Sequence, residues 1–362
     1  MKIAIVHDYI KEYGGAERVL ERLLKVFPQA DVFTSLYAPE FLGPHKKRFE
    51  DYNIQTTWIN SIPAKEKLIS PLRLVSPFAF KSLDLSSYDI IIVSQTGAYF
   101  PNLVKKGKAK LVCYTHTPPR YLYGLKTARE IKNVASKIIS SAAFHALRIV
   151  DFNAAKNVDQ FIANSEEVRG RIQKFYRRDA EVIYPPVAVP NVIQGRKEQY
   201  FLTGGRLARA KGIDVIIKAF NKNSLPLRIF GRGFAGYEEE LKKLAKDNIT
   251  FVGEVSDEKK FELMAGAKAF IFASYDEDFG ITPVESMGVG TPVVAFKSGG
   301  VKETVVDGVT GVFFEENTPE ALNEAVRKFE KLNLNPDDAV TRAEKFSEKE
   351  FDRKIKEVVA RA

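Results

Sequence analysis

The chain has 362 residues, 45% of them apolar and 28% charged, enough for two cores at roughly 100–200 residues per domain. One cysteine, Cys113, excludes an internal disulfide framework and any zinc site built on cysteines, and it fits a reducing compartment. The net charge of +9 sits in the first half: residues 1–185 hold 28 Lys and Arg against 18 Asp and Glu, giving +10, and the remainder holds 27 against 28, giving −1. A one-sided basic surface points to an anionic partner.

The N-terminus starts directly on a strand pattern, "KIAIVHDY", so no secretory signal is expected. No apolar run approaches the roughly 20 residues of a membrane span. "GGAERVLERLLKVF" then reads as an amphipathic helix with Leu20, Leu23, Leu24 and Phe27 on one face. Further strands are expected at "ADVFTSLY", "YDIIIVSQT", "AKLVCYTH" and "VDQFIANS", with helix patterns between several of them. That alternation predicts a parallel, doubly wound sheet. The Pro-rich "VIYPPVAVPNVIQGRKEQ" breaks the rhythm and reads as a linker. Strands "YFLTGG", "LPLRIFG", "NITFVGE", "AKAFIFAS" and "TPVVAF" follow, alternating with helices. The expected picture is two Rossmann-like α/β domains facing across a cleft, at 1–185 and 196–345, with a C-terminal helix at 346–362 packing back on the first. Ligands of such sheets bind beyond the carboxyl ends of strands.

Four stretches lie at such ends. In "YIKEYGGAERV", Gly14 and Gly15 open a helix whose amides can approach an anion. In "GGRLARAKGID", Arg206 and Lys211 follow a Gly-Gly turn, a combination suited to a diphosphate. "GRGFAG", from Gly231 to Gly236, is a literal G-x-G-x-x-G and keeps a dinucleotide reading open, with Glu254 as its acid. "SYDEDFGITPVESMGVGTPVVA" places Glu277 and Glu285 eight positions apart. Thr282, Pro283 and Glu285 have the spacing of a capping box, which would give Glu285 a purely structural role. Asp276 and Asp278 spell D-x-D, a pattern that can hold a divalent metal. His7 and His116 each close a strand.

Together these residues resemble the family 4 retaining glycosyltransferases of the GT-B fold. The resemblance rests on the Gly-Gly loop "YGGAERV", "GRLARAKG", and E-x7-E at Glu277 and Glu285, in that order along the chain, and it runs over nearly the whole chain. "YTHTPPRYLYG" and "FIANSEEVRGRIQKFY" resemble the bacterial polysaccharide and O-antigen mannosyltransferases in particular.

The resemblance implies a nucleotide-sugar donor, GDP-mannose or a UDP-sugar, and a glycan or lipid-linked acceptor in cell-surface polysaccharide synthesis. It assigns Arg206 and Lys211 to the diphosphate, Glu277 to donor-sugar hydroxyls, Glu285 to the ribose and His116 to the reacting end of the sugar. It places Gly14, Gly15, Gly231, Phe279, Gly280 and Ile281 around the donor. No cofactor and no metal are expected. Retention is attributed in this family to front-face attack, and the residues leave a double displacement open. A nucleotide-sugar epimerase and a nicotinamide-dependent oxidoreductase are the competing enzyme readings. No nucleic-acid motif is present. A cytoplasmic protein is expected, peripheral at the inner face of the cell membrane. Basic clusters at "HKKR", "KKGKAK" and a helix over 126–148, with Ile131, Ala135, Ile138, Ile139 and Ala142 on one face, would meet anionic lipid.

Overall fold

The computed structural model describes residues 1–125, 134–188, 198–233 and 236–362, with backbone only at 134–140. Of the basic helix expected over 126–148, residues 126–133 lie outside the described residues and 134–148 are helical; residues 189–197, half of the Pro-rich linker, also lie outside. The chain divides into two units, Met1–Pro186 with Glu348–Ala362, and Val187–Ser347.

The first unit is a seven-stranded parallel sheet of β1 (Ile3–His7), β2 (Asp31–Thr34), β3 (Ile54–Thr56), β4 (Ile90–Gln95), β5 (Lys110–Thr115), β6 (Gln160–Ala163) and β7 (Glu181–Val182). Their order across the sheet is β3-β2-β1-β4-β5-β6-β7. The chain therefore steps outward from β1, then returns to lay β4 on its other side. β1 and β4 are buried along their whole length, which is why they read as unbroken apolar runs rather than alternations. Helices α1 (Gly15–Val26), α2 (Ile69–Leu72), α3 (Ser76–Lys81), α4 (Val134–Lys156) and α5 (Glu166–Tyr176) complete the unit. Val19, Leu20, Leu23 and Leu24 of α1 join the core beside β1. Ser165 caps α5, its hydroxyl accepting from Val168 N at 3.1 Å.

The second unit is a six-stranded parallel sheet of β8 (Phe201–Gly204), β9 (Leu227–Phe230), β10 (Ile249–Gly253), β11 (Phe270–Phe272), β12 (Val293–Phe296) and β13 (Gly311–Phe314). Their order is β10-β9-β8-β11-β12-β13, so this sheet also reverses beside its first strand. Its helices are α6 (Ile213–Asn223), α7 (Tyr237–Leu244), α8 (Asp257–Gly266), α9 (Ile281–Gly288), α10 (Val301–Thr304), α11 (Pro319–Glu330) and α12 (Pro336–Glu344). Strands β3, β7 and β13 have no counterpart in the sequence reading. They are short edge strands of two to four residues.

The last helix, α13 (Glu348–Arg361), belongs to the first unit. Phe351, Ile355, Val358 and Val359 are buried in the same core as β1 and α1. Arg22 of α1 forks onto Asp352, donating from Nε at 2.6 Å and from the guanidinium NH2 group at 2.5 Å, and reaches Glu348 at 2.6 Å.

Candidate active site

In each sheet the place where the strand order reverses leaves a crevice at the strands' carboxyl ends, where α/β proteins bind ligands. Most of the residues singled out from sequence fall at these two places, and Gly231 and Glu254 follow the neighbouring strands β9 and β10.

In the second unit the reversal lies between β8 and β11. The turn after β8 is Gly204-Gly205-Arg206. Gly231, after β9, has φ +120°, and a Cβ there would lie 1.8 Å from the Gly205 carbonyl oxygen. Glycine is therefore required for these two turns to touch. Arg206 is exposed at the tip. The G-x-G-x-x-G stretch accordingly follows the second strand of the sheet, not the first. A dinucleotide fingerprint needs the turn after the first strand, and Gly204-Gly205-Arg206 occupies it. Phe234 and Ala235 of that stretch lie outside the described residues.

Lys211 follows the same turn and Glu277 follows β11, and the structure brings them together. Lys211 Nζ donates to Glu277 Oε2 at 2.5 Å, and Ser274 Oγ donates to the same oxygen at 2.6 Å. The backbone of Glu277 is pinned as well. Gly300 N donates to its carbonyl at 2.8 Å, and a Cβ on Gly299 would sit 2.1 Å from that carbonyl oxygen. Ser298 Oγ accepts from Asp276 N at 3.1 Å. Sequence reasoning missed Ser274, Ser298, Gly299 and Gly300. The only signal was the "KSGG" turn after an apolar strand.

The capping box is not formed. Helix α9 starts at Ile281, with Gly280 as its N-cap at φ 92° and no side chain capping it. Thr282 is thus inside the first turn, and Glu285 lies beyond the position from which it could reach back to a cap. Instead Glu285 is buried, and its Oε1 accepts from Lys260 Nζ at 2.7 Å. Lys260, on α8, is itself buried and also donates to Asp257 at 2.8 Å. Phe279 is buried with its ring edge-on to Phe346, centroids 5.4 Å apart. No group of three or more His, Cys, Asp and Glu side chains gathers for a metal among the described residues, Asp276 and Asp278 included.

In the first unit the reversal lies between β1 and β4. The register sets His7 opposite Ser94, and His116 follows β5 with its N–H on the Gln95 carbonyl at 2.9 Å. Ser94 Oγ bridges the two rings, 3.0 Å from His7 Nδ1 and 2.9 Å from His116 Nε2. A hydroxyl has one proton to give, so the two imidazoles have linked tautomers: when Ser94 donates to one ring nitrogen, it accepts from the other. Burial, reinforced by His7, pushes the His116 imidazole down to about 3, so it stays neutral at physiological pH.

Gly14 is the N-cap of α1, and Gly15 its first residue. The Gly14 N–H is occupied by Glu17 Oε2 at 2.8 Å, while Glu17 Oε1 lies 3.8 Å from His7 Nε2. The amide expected to approach an anion is thus already held by a buried carboxylate from the helix's own first turn.

Comparison with known proteins gives this geometry its family. Residues 13–189 match the family described as Glycosyltransferase Family 4, and residues 191–348 match Glycosyl transferases group 1. The Alpha-1,3/1,6-mannosyltransferase ALG2 of Mus musculus is 26% identical over 282 residues, covering 67% of this chain and 65% of that protein. The O-antigen chain mannosyltransferase RfbU of Salmonella typhimurium is 29% identical over 245 residues, covering 64% of this chain and 67% of its own length. Alr3699/HepE of Anabaena, solved in complex with UDP and glucose, superposes with a TM-score of 0.75 at 21% identity over 99% of both chains. Its likeness shows the fold, two Rossmann-like parallel-sheet domains of the GT-B type. The two family matches leave only the chain ends and a residue between them uncovered, and the chain belongs to the family 4 glycosyltransferases.

Proposed function

We propose that the protein transfers a sugar from a nucleoside diphosphate donor to a glycan or lipid-linked acceptor, with mannose from GDP-mannose as the sugar. The observation that carries this reading is the Lys211–Glu277 contact at the reversal of the second sheet. In a nucleotide sugar the diphosphate and the sugar share one bond. A cation for the phosphate and a carboxylate for the sugar hydroxyls must therefore stand beside each other, as these two do. Arg206, exposed on the preceding turn, adds a planar donor for the phosphate oxygens. As the glycosidic bond breaks, negative charge grows on the departing diphosphate, and prepositioned cations act most strongly at that moment. Glu285, held by Lys260, is assigned to the ribose. The neutral His116 is assigned to the donor sugar, where an uncharged imidazole can donate or accept a hydrogen bond without repelling positive charge developing at the anomeric carbon.

The mannosyltransferase names of ALG2 and RfbU support mannose, and the UDP-bound neighbour makes UDP-sugars the other donor class. A thermal-shift panel of GDP- and UDP-sugars tests this, since a ligand that binds the native state stabilises it. GDP-mannose should give the largest shift. A larger shift with a UDP-sugar would replace mannose, and no shift with any nucleotide sugar would remove the transferase reading. Transfer is expected to survive EDTA. Loss restored by magnesium or manganese would return Asp276 and Asp278 as metal ligands. Peripheral binding to the inner face of the membrane is part of the proposal, supported by the +10 charge of residues 1–185. No helix among the described residues is long and apolar enough to cross a bilayer. Sedimentation with anionic but not neutral vesicles, released at high salt, is the expected result.

A further inference from the structure

Side chains alternate along a strand, and at the reversal of the first sheet this puts three polar residues on one face. Ile3 and Ile5 lead to His7 on β1, Ile90 and Ile92 to Ser94 on β4, and Val112 and Tyr114 to His116 just past β5. The six apolar residues share a core with Val19, Leu20, Leu23 and Leu24 of α1. Each strand thus ends its apolar alternation in one polar residue on the face that α1 covers. Glu17, in the first turn of that helix, is buried with them.

The four side chains form a line. Glu17 Oε1 is 3.8 Å from His7 Nε2, His7 Nδ1 is 3.0 Å from Ser94 Oγ, and Ser94 Oγ is 2.9 Å from His116 Nε2. At its inner end His7 is fully buried, and its Nε2 has no hydrogen-bond partner among the described residues. At its outer end His116 keeps 8% of its surface, and its Nδ1 has no hydrogen-bond partner among the described residues. The Tyr114 ring, edge-on with centroids 5.1 Å apart, holds the His116 ring in place.

The start of α1 aims the inner end. Glu17 Oε2 accepts from Gly14 N at 2.8 Å, one half of a capping box, and that bond turns Oε1 towards His7. A carboxylate oxygen only accepts. A bare His7 nitrogen in front of it would set two acceptors against each other in the interior, which is costly, whereas an N–H there faces negative charge. His7 therefore keeps its proton on Nε2, and the neutral ring has a bare Nδ1. Ser94 donates to that nitrogen and has only lone pairs left for His116. His116, held neutral by burial, has one proton, and it must sit on Nε2.

We propose that Glu17, His7 and Ser94 are positioning residues that fix His116 as the Nε2–H tautomer, so that its Nδ1 meets the donor sugar as an acceptor and selects for a hydroxyl. The sugar contact rests on the glycosyl-transfer reading above, and the proton order does not. A hydroxyl can donate to that nitrogen, whereas an ether oxygen, a carboxylate or a fluorine in the same place cannot.

The test is nitrogen NMR of isotope-labelled histidine in the full chain, where protonated and bare ring nitrogens give well-separated signals. The four histidines are assigned by replacing each in turn. Without ligand, His7 and His116 should both show Nε2–H and a bare Nδ1. Glu17→Gln should reverse both. Its side-chain oxygen still serves Gly14 N, its NH2 group donates to His7 Nε2, and the order runs the other way, leaving His116 with Nδ1–H. Ser94→Ala should uncouple the rings, giving His116 a mixture of tautomers while His7 stays Nε2–H. Glu21→Gln, one turn along the same helix, should change neither ring. Nδ1–H on His116 in the unaltered protein would overturn the proposal, as would a His7 protonated at both nitrogens or a His116 tautomer indifferent to Glu17→Gln. Should Glu17→Gln fail to fold, the unaltered spectrum and Ser94→Ala still decide.

The sugar contact is read with monodeoxyfluoro analogues of the nucleotide sugar that stabilises the protein most. The analogue with fluorine in place of the contacted hydroxyl should bind about tenfold more weakly than its parent, the loss of one buried hydrogen bond. Glu17→Gln should recover most of that loss, because fluorine can accept from Nδ1–H. If no analogue's penalty depends on Glu17, the sugar contact fails while the transferase reading stands. If no nucleotide sugar stabilises the protein, the transferase reading fails and takes the sugar contact with it, and the proton order stands or falls on its own spectrum.

Discussion

Two acidic groups in each unit are held in opposite ways. In the second, Glu285 is buried against Lys260, and the half-buried Glu277 pairs with Lys211. In the first, Asp8 and Asp151 are buried with no salt bridge among the described residues. Asp8 rests on a hydroxyl and two backbone amides, and Asp151 accepts from the Tyr123 hydroxyl at 2.8 Å. Burial raises both carboxyls, in Asp8 against the pull of His7 and those hydrogen bonds, in Asp151 to about 7. A carboxylate with a cation beside it keeps its charge in the interior, whereas one held by hydroxyls is poised to take up a proton. The pairing in the second unit suits the highly charged diphosphate it is proposed to bind.

The comparison breaks most visibly at Lys260. Lys260→Met leaves Glu285 buried without its cation and should cost about 3–5 kcal/mol of stability in urea denaturation. Adding Glu285→Leu should restore most of it, because replacing both partners of a buried ion pair is often close to neutral. A small loss in the single variant would show that water reaches Glu285 and that the second unit does not depend on charge pairing. Arg206→Ala addresses the exposed side of the same unit. Transition-state stabilisation should fall by about 2–4 kcal/mol, read as kcat/KM, with the fold unaffected. Near-native turnover would take the phosphate away from Arg206.

The first unit is tested by pH. Asp151 carries a raised folded value, about 7 against an ordinary 3.8, so between these values the folded protein holds a proton that the unfolded chain releases. Its stabilising contribution is complete below about pH 3.8 and is lost as pH rises through 7. Asp151→Asn, which can still accept from Tyr123, should therefore be more stable than the unaltered protein above pH 7, by about 1–3 kcal/mol. His116 works the other way. Its value is lowered to about 3 from 6.5, so stability is lost as pH falls from 6.5 towards 3. Denaturation curves at several pH values separate the two slopes. An Asp151→Asn profile parallel to that of the unaltered protein would mean that Asp151 is ionised in the fold. The smallest effect is expected from Glu277→Gln. Lys211 and Glu277 are 34% and 18% exposed, so solvent screens their pairing and stability should change by less than about 1 kcal/mol. Nucleoside diphosphate should still bind while transfer falls. Equal losses of both would move Glu277 off the sugar.

Much of this architecture was legible because buried parallel strands leave continuous apolar runs, as "IAIVH" and "IIIVSQ" do. The turns after them announce themselves by glycine. What stayed hidden was hidden for identifiable reasons. Edge strand β13, "GVFF", is only four residues long and its burial is shared with neighbours, so it has no period of its own. The capping-box reading of Glu285 failed because Gly280, in the left-handed region, takes the N-cap position and starts α9 at Ile281. Nothing in local sequence reveals that a lysine 25 residues away pairs with Glu285. The same holds for Ser94, invisible as one hydroxyl in a strand until the parallel register sets it between His7 and His116. Pairings between strands are set by topology, and a motif scan along the chain does not see them.

Helix α13 has a consequence for how the protein is made. The ribosome delivers the first sheet early, but Phe351, Ile355, Val358 and Val359, and the Asp352 that Arg22 grips, are synthesised only after the whole second unit. Throughout translation of residues 187–347 the N-terminal unit exists with one side of its core uncovered, while the second unit has everything it needs within a continuous stretch. The domain that begins first is therefore finished last. An uncovered apolar face is a site for aggregation or chaperone capture, so a nascent chain stalled before residue 348 should be held by chaperones through its N-terminal half.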